Sequence, residues 1–266
     1  MGSAQQGGHG DGEPRIWLDV PYSEKDEAHS SGAMWDPSAA RWYAPEAEMA
    51  SLERWQALPD LPALLLGEDR TFGSGLFVDL VPKKCWFKNA RYCVSERDWE
   101  RLRRMVLGRA GHRCEVCGQA KSRRVERWLE VHERWEFDLR GSRQILRRLV
   151  CLCTPCHTAT HLGLAEQRGK DGEARTHLMT VTGMSEEEAQ AHIMSAIFLW
   201  EQRNRQTWSL DLSMLTTAGI EVRPPQKKPG ARRAAPPGGG SSAGRKKYRV
   251  PHVGGSGGHR RNARPR

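Results

Sequence analysis

The chain has 266 residues with 42 Lys+Arg against 32 Asp+Glu, and its 38% hydrophobic and 28% charged content lies on the polar side of globular usage, so compact domains share the chain with segments that bury little. No apolar run approaches the roughly 18 residues of a membrane span, and the start MGSAQQGGHGDGEP has neither a basic n-region nor an apolar h-segment, so a cytoplasmic protein without a membrane partner is expected. In that compartment thiols stay reduced, and the five of seven cysteines that fall in close groups read as metal ligands, not as disulfides.

Charge is segregated along the chain. Residues 1–82 carry 5 basic and 14 acidic groups, 83–148 carry 19 and 9, 149–222 carry 5 and 9, and 223–266 carry 13 and none. A basic middle and a wholly basic end, joined by acidic flanks, argue for an anionic polymer as the partner. Oligomeric state has no signature here.

In chain order, residues 1–13 are Gly-rich and expected to be disordered. Residues 14–60 read as a small accessory domain. Ile16, Leu18 and Val20 alternate as a short strand, Ser23 caps a helix running to about Ser31, and Gly32 ends it. Trp35, Trp42 and Tyr43 then close an aromatic core around a returning strand. The run VPYSEKDEAHSSGAMWDPSAARWYAP resembles a small domain of unknown function that accompanies plasmid-type primases. That family implies no catalytic residue.

Residues 61–82, with Gly-Ser-Gly between prolines, read as a linker or hairpin. Ser95 and Asp98 form a capping box before Trp99, Leu102, Met105 and Val106, which predicts an amphipathic helix over 96–107 with Arg97, Arg101 and Arg104 on its outward face. Cys114-x-x-Cys117-Gly is a metal knuckle, and Cys153-x-x-Cys156 follows after 35 intervening residues. Four thiolates from two such pairs surround one Zn²⁺ at about 2.3 Å each. The intervening RWLEVHERWEFDL, a turn at Arg140-Gly141-Ser142 and RQILRRLVCL form the long hairpin that brings the pairs together. Cys85, Cys93 and Cys151 are left as buried small hydrophobes, and Trp86, Trp99, Trp128 and Trp135 as core.

Thr154 and Pro155 suit a helix start, which puts His157 and His161 on one face at i and i+4. Glu130 and His132 point the same way along the first hairpin strand, and His132 is the better third metal ligand. Further on, Ser185 and Glu188 are a capping box for a helix in which His192 is structural, and 223–266 is a basic disordered tail.

Cys-x-x-Cys-Gly, a strand ending Glu-Val-His, and Leu-Cys-x-x-Cys-His-x-x-x-His together resemble the HNH nuclease superfamily (His-Me finger, ββα-metal fold) over residues 83–222. The resemblance implies an α+β protein: a zinc-stabilised ββα-metal domain with added helices, beside the small N-terminal α+β domain. It makes Cys114, Cys117, Cys153 and Cys156 the structural zinc ligands, and His132, His157 and His161 the ligands of one catalytic divalent ion, Mg²⁺, Mn²⁺, Ni²⁺ or Zn²⁺. It puts Glu133 where most members carry a general-base histidine and Arg148 where many carry an orienting asparagine. The implied activity is metal-dependent hydrolysis of DNA phosphodiester bonds, with Glu133 as base and Arg148 stabilising phosphate charge. Glu133 reaches that site only if the strand bends after His132. Otherwise it pairs with an arginine, and the protein is a zinc-stabilised DNA-binding module with impaired catalysis.

Overall fold

The computed structural model describes residues 15–39, 41–45 and 50–225, and the chain divides into a unit over 1–228 and another over 229–266. The expected disordered start at 1–13 and the basic tail beyond 225 lie outside the described residues. Among the described residues the first unit is mixed α+β, with two three-stranded sheets and two hydrophobic cores.

The smaller core belongs to the N-terminal module. Strands β1 (Ile16–Leu18), β2 (Met34–Asp36) and β3 (Arg41–Ala44) pair antiparallel in the order β1-β3-β2, and helix α1 (Lys25–Ser30) lies between β1 and β2 in sequence. Gly32, at φ 100°, makes the turn that a residue with a Cβ resists. Ser23 does not cap the helix: it sits in a 3₁₀ turn at Tyr22–Glu24 and its hydroxyl donates to Glu96. The expected aromatic core is also corrected. Leu18, Val20, Ala28, Ala33, Ala44, Leu52 and Trp55 fill it, with Trp42 at its edge, while Trp35 remains 48% exposed. Register puts Tyr43 on the face opposite Leu18, because it pairs with Trp17, whereas Trp35 pairs with Trp42 on the core face and meets it edge to face at 5.5 Å, outside the buried cluster.

Residues 61–82 contain no strand, yet they are no free linker. Leu65, Leu76 and Val78 are buried in the larger core, the Asp69 amide donates to the Arg147 carbonyl (3.0 Å), and the Asp79 amide donates to the Thr160 carbonyl (2.9 Å). Buried Glu68 accepts both guanidinium nitrogens of buried Arg109 at 2.6 Å and the Leu149 amide at 3.0 Å. The segment is a strap across that core. After α2 (Ala90–Cys93), helix α3 (Glu96–Arg109) starts at the predicted Ser95 cap and buries Trp99, Leu102, Met105 and Val106. Its arginines are not a free outward face. Arg97 donates to the Gln56 carbonyl, Arg101 to the Pro59 carbonyl, and Arg104 pairs with buried Asp19 at 2.7 Å, so they tie the N-terminal module to α3.

The hairpin consists of β4 (Leu129–Asp138) and β5 (Arg143–Cys153), closed by a turn in which Asp138 Oδ1 accepts the Arg140 and Gly141 amides. Pairing is regular from Leu129–Cys153 to Arg134–Arg148, and the register shifts only between Arg134 and Trp135. Helix α4 (Thr154–Thr160) follows directly and packs on the hairpin. Its N-cap is Cys153, one residue before the predicted Thr154, whose hydroxyl instead accepts the Trp128 amide. Helices α5 (Leu162–Gln167), α6 (Asp171–Thr182) and α7 (Glu186–Asn204) come next, α7 with the predicted Ser185–Glu188 capping box. Strand β6 (Ser209–Asp211) adds parallel to β5, and α8 (Ser213–Thr217) ends the fold. Cys85, Cys93 and Cys151 are buried as expected, and burial pushes their thiols up to about 11, 11 and 12. Trp99 and Trp135 are core; Trp86 and Trp128 are not, at 49% and 44% exposed. Among the described residues no helix is long and apolar enough to cross a membrane.

Candidate metal centres

Two clusters of metal-ligating side chains form around the hairpin. The first uses the end of α3, where Gly111, His112 and Gly118 take left-handed φ values of 58°, 54° and 71° and fold the chain back on itself. The Cys114 amide then donates to the Gln119 carbonyl and the Gly118 amide to the Cys114 carbonyl, both at 2.9 Å. This knuckle is pinned to β5, since the Glu115 amide donates to the Cys151 carbonyl (2.9 Å) and the Glu115 carboxylate accepts the Cys151 amide (3.0 Å). The sulfurs of Cys114, Cys117, Cys153 and Cys156 consequently lie within 4.8 Å of one another. Crowding separates their proton affinities: Cys153 and Cys156 donate to Cys114 and hold it well below the usual thiol range, while Cys153 is pushed up to about 12 by the Cys114 thiolate. A tetrahedral cation resolves that conflict, and four cysteines are the donor set of a structural Zn²⁺. His177, from α6, places Nε2 3.1 Å from Cys156 Sγ and supports the cluster from outside. No sequence signal distinguishes His177, which is brought there only by helix packing.

The second cluster lies on the other face of the hairpin. His132 projects from β4, His157 from α4, and His161 follows α4 with its amide still donating to the His157 carbonyl at 3.0 Å. Their ring centroids are 4.7–5.2 Å apart and their ligand nitrogens fall within 4.8 Å of one another. Burial, reinforced by the neighbouring imidazoles and Arg134, holds His132 well below its usual range. His157 is lowered chiefly by burial, and His161 is pushed down to about 3 by burial and then by His157. All three are therefore neutral, the form that binds metal. His132 Nε2 is buried and has no hydrogen-bond partner, a costly state for a polar atom unless something ligates it. The donor set fits a first-row divalent cation.

Glu130 stands beside the imidazoles, with Oε2 3.4 Å from His157 Nδ1 and its side chain 43% exposed. Arg134, two positions beyond His132 on the same face, is buried with Nε and Nη1 unpaired; its Nη2 donates to the Gly75 carbonyl at 3.3 Å and its guanidinium stacks 4.1 Å from the Phe77 centroid. The two-residue alternation Glu130, His132, Arg134 was available in the sequence and identifies Arg134.

Glu133 and Arg148 do not join this cluster. The strand stays regular past His132, so Glu133 faces away, and its carboxylate accepts the Ala90 amide at the start of α2 at 3.2 Å. Burial there pushes it up to about 7. Arg148 turns to the knuckle, donating to Glu115 Oε2 at 2.8 Å and to the Phe72 carbonyl at 3.4 Å. Glu133 and Arg148 thus make their contacts apart from the imidazoles, whereas His132, His157 and His161 converge.

Residues 15–57 match the family model DUF5710, a domain of unknown function. The same region is similar to two Escherichia coli proteins described as DNA primase TraC, at 51% identity over 47 residues and 41% over 57. These alignments cover 17% and 21% of this chain and only 4% of each primase. The N-terminal module is thus of the kind found in those proteins. No solved structure matches the chain.

Proposed function

We propose that residues 83–222 form an HNH-type, metal-dependent endonuclease that hydrolyses DNA phosphodiester bonds. The observation that carries this reading is the convergence of three imidazoles, with His132 buried and its Nε2 unpaired, alongside a separate four-cysteine cluster that already ties hairpin to helix. Three imidazoles have no structural task once that cluster holds the fold. A basic middle segment, the 13 cationic residues of 223–266 and the N-terminal similarity to DNA primases support DNA as the substrate.

A divalent ion held by His132, His157 and His161 would polarise a phosphate oxygen and neutralise developing charge. The chain's own groups have distinct tasks. Glu130, with Oε2 3.4 Å from His157 Nδ1, is the carboxylate exposed beside the site that can take a proton from attacking water. Buried Arg134 lends positive charge behind the imidazoles from the same strand face. Glu133 has no part in this scheme.

The displacement of Glu133 and Arg148 favours a second reading, a zinc-stabilised DNA-binding module that has lost its reaction. Incubating supercoiled plasmid with the full chain and Mg²⁺, Mn²⁺, Ni²⁺ or Zn²⁺ separates the two. Nicking that disappears in His161→Ala supports the nuclease. Tight plasmid binding without nicking in any of these ions leaves the module.

A further inference from the structure

Between the N-terminal module and α3 lies a cleft of about 770 Å³, on the side of the hairpin away from the three histidines. Its wall from the module is Trp17, and its wall from the zinc-knuckle region is Trp128. Five cations, Arg41, Arg101, Arg103, Arg104 and Lys121, line the cleft together with Asp60. Buried Asp19 pairs with Arg41 at 3.4 Å and Arg104 at 2.7 Å, Asp60 stands 3.7 and 3.6 Å from the same two guanidiniums, and Arg101 and Arg103 pair with Asp98 at 2.7 Å and Glu100 at 3.4 Å, so the five cations keep an excess of one over these four carboxylates. Arg101 is held by the Pro59 carbonyl, which fixes the floor of the cleft. Arg103, paired with Glu100 at 3.4 Å, and Lys121 are exposed at its mouth, Lys121 with Nζ 4.9 Å from the Trp128 centroid.

The aromatic lining continues out of the cleft onto an open sheet face. Trp17, Tyr43 and Met34 form one rung across β1, β3 and β2, on the face opposite Leu18. Trp17 and Tyr43 meet edge to face at 6.2 Å, Arg41 lies over Trp17 at 5.4 Å, and Arg15 lies over Tyr43 at 4.9 Å. Met34 is 49% exposed, and the small core lies behind the other face. Cations set among accessible aromatic rings along a groove are what an unpaired polynucleotide requires, because phosphates need positive charge and free base faces need rings to stack on. A duplex presents no free base faces.

We propose that this cleft and the adjoining sheet face bind a single strand of DNA, with Trp17 and Trp128 as stacking platforms and the arginines as phosphate contacts. The preference for a single strand stands on the cleft itself. The choice of DNA over RNA rests on the reading of the preceding subsection. The surface is distinct from the histidine cluster, so it would hold one strand of a substrate or product away from the point of cleavage.

The test is equilibrium binding of the full chain, without added divalent ion, to fluorescein-labelled 20-mers of oligo(dT), oligo(rU) and duplex DNA. The double variant Arg103→Glu, Trp128→Ala alters two exposed side chains, and retained zinc verifies its fold. It should lose about tenfold or more in affinity for oligo(dT) and distinctly less for duplex, which the basic tail also holds. Trp128→Phe, which keeps a stacking surface, should bind like wild type. Oligonucleotides carrying 5-iododeoxyuridine should photocross-link to peptides containing Trp17 or Trp128. Unchanged oligo(dT) affinity in the double variant, or cross-links confined to 223–266, would overturn the proposal. Equal loss for duplex overturns the single-strand assignment, and tighter binding of oligo(rU) overturns DNA. A chain that fails to nick plasmid yet passes these tests separates this inference from the nuclease reading.

Discussion

His132 and Glu133 are consecutive in β4 and serve opposite sides of the hairpin: the imidazole joins His157 and His161, and the carboxylate accepts the Ala90 amide at the start of α2. The pleat alone accounts for this, since the strand's register shift comes only after Arg134. A carboxylate fixed behind the sheet cannot take a proton from water on the side that the three imidazoles face.

Glu133→Gln should therefore nick plasmid within a few-fold of wild type, while Glu130→Gln should lose about 10²-fold or more, the usual scale for a positioned proton acceptor. His157→Ala should abolish nicking with helical CD and bound zinc unchanged. If Glu133→Gln is dead and Glu130→Gln is active, the assignment of Glu130 fails.

Zinc at the four cysteines should be needed for the fold. One Zn²⁺ per chain should survive dialysis, and Cys114→Ser should lower stability by several kcal/mol or more, because binding free energy in such sites is folding free energy. The readout is zinc content with a CD melt. A Cys114→Ser variant that melts with wild type would show that the thiols are merely buried.

The strap over 61–82 yields a stability prediction independent of any metal. Removing Glu68 leaves Arg109 charged and buried, so Glu68→Ala should cost about 3–5 kcal/mol in urea unfolding. The double variant Glu68→Leu, Arg109→Met should recover most of that loss. Were Glu68→Ala neutral, the segment would be a linker after all.

Asp36 gives the N-terminal module a pH dependence. Its carboxylate accepts the Ala39 and Ser38 amides and pairs with Arg15, which holds it below the usual aspartate value of 3.8. A carboxyl lowered on folding contributes stability that is full above its unfolded value and fades as pH falls through the folded one. The Tm gap between wild type and Asp36→Asn should be widest near neutral pH and close in acid below that value. A gap that widens in acid would refute the account.

The 13 uncompensated positive charges of 223–266 should add non-specific DNA affinity through counterion release. Deleting them should flatten the dependence of log K on log salt and leave the cleavage pattern unaltered. Equal slopes for both proteins would assign the segment to another partner.

Spacing by itself determined the parts of this protein that depend on local geometry. Cys-x-x-Cys pairs, an i,i+4 histidine pair, the Ser95 and Ser185 caps and the hairpin turn before Arg143 are short-range patterns, and each appears where its residues predicted. Alternation even placed Glu130 with His132 and away from Glu133. What the sequence could not supply was which face of each element finds a partner. Only tertiary packing buried Glu68 under Arg109, turned Arg148 to Glu115, brought His177 to Cys156 and left Trp35 and Trp128 outside both cores. Those outcomes depend on contacts between segments tens of residues apart, and no local period encodes them.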